Sequence, residues 1–250
     1  MSDNLFYSIL ELADDHLILG HRLSEWCGHA PTLEEDLSLP NLGLDLLGVA
    51  TSLYSFASKL DSKCRSDDQL AFGRLEREYK SCLLMEKPNE HFGYTMLKQL
   101  YFSTFMEIFW ENSLHSKNED IAGVASKSVK EIAYHIRHSG EWVIRLGDGT
   151  QKSHNKMLEA IHELHPYTDE LFHMSKYSKQ CLRDGYLPDR SKLRSSWIIR
   201  IKRIFEEATL PFPTISHFHA GGREGIHTES MGHLISEMQY LQRAYPGQKW

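Results

Sequence analysis

The chain has 250 residues, with 28 Lys plus Arg against 34 Asp plus Glu and a formal net charge of -6. At 41% hydrophobic and 25% charged it is composed as a globular protein with room for one large core or two modest ones. The acidic balance excludes broad binding to a nucleic-acid backbone, which needs clustered positive charge. Cys27, Cys64, Cys82 and Cys181 form no CxxC pair, so neither a disulfide framework nor a zinc module is expected. The sequence MSDNLFYSILELADDHL puts acids where a signal peptide carries basic residues, and no apolar run approaches the roughly 20 residues of a membrane span. A cytoplasmic protein is expected.

Apolar residues recur at three- and four-residue spacing throughout, without strand-like alternation, which predicts an all-α chain. The first helix carries Phe6, Ile9, Leu10, Ala13, Leu17, Leu23 and Trp26 on one side and ends at Gly28 and Pro31. Thr32 and Glu35 form a capping-box pattern, opening a second helix that runs to about Leu60, with Pro40 expected to bend its first turns. Residues 61–91 are polar and irregular, with a short helix expected within Leu70 to Met85. A third helix, about His91 to Leu114, is apolar on more than one face, so more than one face is buried.

The fourth helix, from about Asn118 to Leu146, stops at Gly147-Asp148-Gly149. Helices over about 153–175 and 190–210 flank a basic loop, and Pro211 and Pro213 end the second of them. After Gly221-Gly222-Arg223-Glu224-Gly225, Thr228 is a good N-cap for a C-terminal helix ending before Pro246. Two long helix pairs joined by an irregular crossover predict a ferritin-like four-helix bundle with additional C-terminal helices. One domain over 1–250 is expected, with core helices in about 5–146 and extra helices in about 153–244.

Fifteen histidines invite a metal hypothesis. A di-iron bundle takes Glu-x-x-His from two different helices, because i, i+3 spacing aims both ligands at one ion, plus a carboxylate from each of the other two. Three such dyads occur, Glu159/His162, Glu170/His173 and Glu224/His227, all outside the four core helices. In the core, Asp45 has Gly48 at i+3 and Glu131 has Tyr134, so each lacks its histidine. His135 and His138 could chelate on one turn, but the sequence places no carboxylate beside them to complete a site. His162-Glu163-Leu164-His165 falls one residue short of a zinc-protease HExxH. GGREG lacks the Gly-Lys-Ser/Thr of a phosphate loop and reads as a turn that allows close backbone approach. No recognisable active site emerges.

Four segments carry a resemblance: RLSEWCGHAPTLEEDLSLPNLGLDLLG over residues 22–48, LLMEKPNEHFGYTMLKQLYF within 81–101, KEIAYHIRHSGEWVIRLGDGT in the fourth helix, and GGREGIHTESMGHLISEMQYLQRAYPGQKW over 221–250. Together they resemble the structural (C) subunits of bacterial ring-1,2-phenylacetyl-CoA epoxidases, over essentially the whole chain. The resemblance implies a relative of the oxygenase's catalytic subunit that has lost its iron ligands, binds no cofactor and holds the catalytic subunit in an active form. It further implies a complex in which the catalytic subunit holds di-iron, a reductase subunit delivers electrons from NADPH, and O2 is consumed in forming the ring epoxide of phenylacetyl-CoA during phenylacetate degradation. Pro40 is a departure that could shift the second helix locally.

On this basis Asp45, Glu131 and His135 are degenerate metal-site positions, and Phe102, Met106, Phe109 and Trp110 are candidates for the interface with the catalytic subunit. Two basic segments with an aromatic, Arg77-Glu78-Tyr79-Lys80-Ser81 and Lys176-Tyr177-Ser178-Lys179, are candidates for contact with CoA, whose phosphates favour Lys and Arg and whose adenine stacks on Tyr. The alternative is an iron oxygenase or ferroxidase in its own right, improvising ligands from Asp45, Glu131, His135 and Glu107. Neither membrane nor nucleic acid is an expected partner.

Overall fold

The computed structural model describes residues 2–248; the last two residues of the 221–250 segment lie outside that range. The chain is all-α, a ferritin-like helical bundle with helices added after it. Helix α1 (Ser2–Ser24) turns back into α2 (Leu33–Leu60), and the two lie along each other. They approach closely at Gly20 and Gly43, where a Cβ on either would come within about 3.2 Å of the other's carbonyl oxygen. A crossover holds two short helices, α3 (Asp67–Phe72) and α4 (Leu83–Glu86), and leads to the second long pair, α5 (Phe92–Ser113) and α6 (Glu119–Gly147). Then come α7 (Gln151–Leu164), α8 (Lys176–Asp184), α9 (Arg190–Glu207) and α10 (Glu229–Ala244).

Local chemistry fixes most boundaries. The Thr32 hydroxyl accepts from the Glu35 N–H at 3.4 Å, Asn118 caps α6 and Thr150 caps α7. Helix α2 runs without interruption through Pro40. The expected helix over 153–175 stops at Leu164, because Pro166 cannot continue it, and two 3-10 turns follow. The crossover divides its expected helix into α3, a 3-10 turn and α4, with residues 79–82 extended between them. Lys176–Lys179 is the first turn of α8, capped by Ser175, and not a loop.

Helix α5 is buried on nearly every side because α6, α7 and α9 surround it. Helix α1 is buried all round as well, although its sequence marks only one apolar side. Its other side carries Glu11, Asp14 and Asp15, all within 1% of full burial. Arg190 of α9 donates to Glu11 at 3.0 Å. Arg74 of the crossover is paired with Asp14, which also accepts from Tyr54 Oη at 2.5 Å and from the Lys80 N–H at 2.6 Å. Arg223 donates to both oxygens of Asp15, at 2.6 and 3.1 Å, and to the carbonyls of Glu11 and Lys80.

The loop bearing Arg223 reaches Asp15 because glycines let it lie flat. A Cβ on Gly222 would sit 2.0 Å from the Ser81 carbonyl oxygen, and one on Gly225 would sit 2.2 Å from that of Arg77. Removing one partner of such a pair leaves an uncompensated buried charge, at a cost of about 3–5 kcal/mol. Arg223→Ala is therefore expected to lower unfolding free energy by that order in a urea titration, and Gly222→Ala to loosen the same loop. A cost within about 0.5 kcal/mol for Arg223→Ala would contradict this role.

Candidate functional site

The residues that resemble ligands meet at the seam between α2 and α6, and they meet in pairs. Asp45 of α2 accepts from His135 Nε2 of α6 at 3.2 Å. The other ring nitrogen of His135 lies 3.1 Å from the Gln99 amide nitrogen of α5. An amide N–H donating to Nδ1 puts the ring proton on Nε2, facing Asp45, so the neutral ring is satisfied at both ends. Burial lowers the pKa of His135, against the opposing pull of Asp45. Ten residues earlier on α2, Glu35 lies 2.9 Å from His138 Nε2, and both side chains are largely buried. Tyr134 stacks on the His138 ring.

Both histidines thus have a carboxylate, contrary to the expectation from sequence. Glu35 makes only half of the capping box, since its side chain turns to His138. Glu131 joins neither pair; its partner is Lys127, one turn back on the same helix, at 3.7 Å, and its Oε2 is buried without a hydrogen bond. Glu107 is taken by Arg200 of α9. Among the described residues, no three or more His, Cys, Asp or Glu are arranged to hold an ion. The residues present do not fit a di-iron pair.

The three Glu/His dyads are divided likewise. Glu159 and His162 are exposed. Glu170 accepts the backbone N–H groups of Leu83, Gly221 and Arg223 at 2.8–3.1 Å, while His173 faces outward. His227 turns to Glu86, 3.0 Å away and fully buried, which also caps the N–H of Thr228 at the start of α10. Sequence reasoning missed Lys98, which lies wholly inside the bundle and donates to the Lys87 carbonyl at 2.6 Å; burial pushes its pKa down to about 7.

The four candidates for a partner interface are interior. Phe102, Met106 and Phe109 are fully buried and Trp110 is 1% exposed. His16 lies edge-on to Phe102, and the Arg190 guanidinium lies 5.6 Å over Phe109. His16 of α1 and Arg190 of α9 close over that side of α5, so these side chains offer no surface to another protein.

The two CoA candidates fare differently. Tyr79 is buried, donates from its hydroxyl to the Ala71 carbonyl at 2.6 Å and lies under the Arg74 guanidinium. Ser81 is buried, Lys80 half-buried, and Arg77 and Glu78 are exposed beside the 221–225 loop. No aromatic face there is left to stack on adenine. Tyr177 stacks on Tyr7 with centroids 4.5 Å apart, Lys176 lies over Tyr177, and Ser178 is buried. Lys179, however, lines a cavity of about 430 Å³ together with Phe172, Met174 and Arg194.

A family model described as phenylacetic acid catabolic protein matches residues 1–250. The chain is also similar to the C subunit of the 1,2-phenylacetyl-CoA epoxidase of Escherichia coli (strain K12), with 41% identity over 241 residues, covering 96% of this chain and 97% of that protein.

The buried rings carry a pH signature. Burial lowers His16 and His165 to about 4, and it lowers His135 too. Unfolded, these rings take up protons near the ordinary value of about 6.5; folded, only well below it. Their stabilisation is complete above pH 6.5 and is lost as pH falls towards 4. His227 works in the opposite sense: burial opposes its charged form, but Glu86 outweighs burial and raises the pKa. Burial lowers His21 and His91 as well, so with five rings against one the urea midpoint is expected to fall between pH 7 and pH 5, less steeply in His16→Phe. A midpoint unchanged over that interval would contradict the assignment.

Proposed function

The chain belongs to the phenylacetic acid catabolic protein family, and from that premise we propose that it is the non-catalytic structural subunit of a phenylacetyl-CoA epoxidase. A separate catalytic subunit holds the di-iron centre and performs the O2 chemistry, and a reductase subunit supplies electrons from NADPH. The observation that carries this proposal is the α2–α6 seam. His135 is spent on Asp45 and His138 on Glu35, pairs that hold α2 to α6, while Glu131 is paired within α6 to Lys127. The similarity to a protein named as the C subunit of that epoxidase supports the same conclusion.

A subunit needs a face for its partner, and α2 supplies one. Leu33, Leu37 and Leu44 are 72%, 61% and 63% exposed. At 100° per residue they fall within about 40° of one another on the outward side of the helix. Three large aliphatic side chains on one exposed stripe are what an interface with another protein covers. The catalytic subunit is the occupant. Contact with the CoA portion of phenylacetyl-CoA is assigned to Lys179 and its cavity, where Arg194 and Phe172 add a second cation and an aromatic wall.

The test is co-purification with the catalytic subunit. Leu37→Asp combined with Leu44→Asp is expected to abolish co-elution at micromolar concentration while the melting temperature of the isolated chain is kept. Co-elution equal to that of the unmodified chain would rule out this face. In the reconstituted complex, Lys176→Ala with Lys179→Ala is expected to raise KM for phenylacetyl-CoA with kcat kept, the mark of lost uniform binding; unchanged kinetics at low salt would end the CoA assignment.

A further inference from the structure

Helix α6 carries an outward stripe that neither the core nor the seam with α2 uses. Lys130, Tyr134, Arg137, Glu141 and Arg145 follow one another at three- and four-residue spacing, and all five are exposed. At 100° per residue they fall within an arc of about 80° and extend for about 22 Å along the helix. Lys127 lies on the same arc and reaches towards α2, where a Cβ on Gly48 would be 3.9 Å from its Nζ. Tyr134 stacks on His138, which is bonded to Glu35 between Leu33 and Leu37. The stripe therefore shares one face of the molecule with the exposed leucines of α2.

The charges on this stripe are left without partners. Lys127 is spent on Glu131. Lys130, Arg137 and Arg145 have no ion pair among the described residues, and Glu141 is the one acid between them. On α9, also rich in cations, Lys192, Arg194, Arg200 and Arg203 each have a carboxylate partner. The Arg137 guanidinium lies 5.4 Å over Tyr134 and that of Arg145 lies 4.8 Å over Trp142, so stacking holds both groups in place. Three cations against one acid make a local positive strip in a chain whose net charge is -6. Arg and Tyr beside exposed aliphatic side chains are the composition favoured at protein interfaces.

We infer that this stripe is the charged half of the docking face, and that the catalytic subunit meets it with a row of carboxylates facing Lys130, Arg137 and Arg145. The inference rests on the docking of that subunit against the leucines of α2, and it adds the chemistry of the surface that docks. Leucines supply apolar area but little to fix register or steer encounter, and complementary charge supplies both. Carboxylates suit the site because a guanidinium pairs with them through two parallel hydrogen bonds. A cationic surface would be repelled, and an uncharged one would leave three cations desolvated and unpaired.

The test follows association of the full chain with the catalytic subunit by surface plasmon resonance. The association rate constant is expected to fall at least tenfold as ionic strength rises from about 0.1 M to about 1 M, where the Debye length shortens from about 10 Å to about 3 Å. Lys130→Glu with Arg137→Glu is expected to slow association about tenfold at low salt and to remove most of that salt dependence. Tyr134→Ala is expected to speed dissociation with the association rate kept. Lys192→Glu with Arg203→Glu, an equal charge change on α9, is expected to leave both rates within about twofold. Every substituted side chain is exposed, so circular dichroism is expected to be unchanged. Association that ignores salt, or equal slowing by the α9 pair, would overturn the inference, while loss of the complex in Leu37→Asp with Leu44→Asp would leave the proposed function standing. Self-association of this chain that the α6 pair abolishes would make a second copy the occupant and overturn it too. No association of the two chains at all would remove both readings.

Discussion

Three buried carboxylates on one helix hold the rest of the molecule in place. Glu11, Asp14 and Asp15 lie within two turns of α1, and each is compensated by an arginine from a different part of the chain: Arg190, Arg74 and Arg223. A carboxylate withdrawn from water costs several kcal/mol unless a charge and hydrogen bonds replace its hydration. The native arrangement of α1 therefore requires the crossover, α9 and the 221–225 loop to be in position together. The helices beyond residue 150 are in this sense part of the bundle. With the loop between them they supply Arg190 and Arg223, two of the three charges without which the first helix could not be buried on all sides.

The same economy governs the α2–α6 seam. Imidazole and carboxylate groups are the material of a metal centre, yet here each histidine has its own carboxylate, and Gln99 fixes the ring of His135 from the opposite side. Such pairs join the two helical hairpins without needing an ion. What the molecule then presents outward is shape and surface, chiefly the leucine stripe of α2. A rigid interior and an apolar face are what the role proposed above asks of this chain.

Much of the fold was legible because its signals are local. The caps at Thr32, Asn118 and Thr150, the stop at Gly147 and the many-sided greasiness of α5 are each written within a few residues. The close approach expected of GGREG is likewise a property of glycine. The site was less legible because its pairs are distant: Glu35 and His138 are separated by 103 positions and Asp15 and Arg223 by 208. Phe102, Met106, Phe109 and Trp110 looked like excess apolar surface because nothing in their own helix reveals that His16 of α1 and Arg190 of α9 pack against that side. Tyr79 and Lys80 looked like a basic, aromatic segment open to CoA because the loop packed against them lies more than 140 residues away. A usable signal did exist for α1: Glu11, Asp14 and Asp15 stand at i, i+3 and i+4 inside an otherwise apolar run. Such spacing puts three acids on one face, and on a helix this apolar that face needs partners.

The central claim is that the interior polar residues of this chain hold helices and not a metal. Its most direct test is iron content after anaerobic reconstitution with ferrous ion, measured on the isolated chain and on its complex with the catalytic subunit. The account predicts no stoichiometric iron on the isolated chain and, in the complex, iron confined to the catalytic subunit. Close to two irons bound to the isolated chain would contradict it.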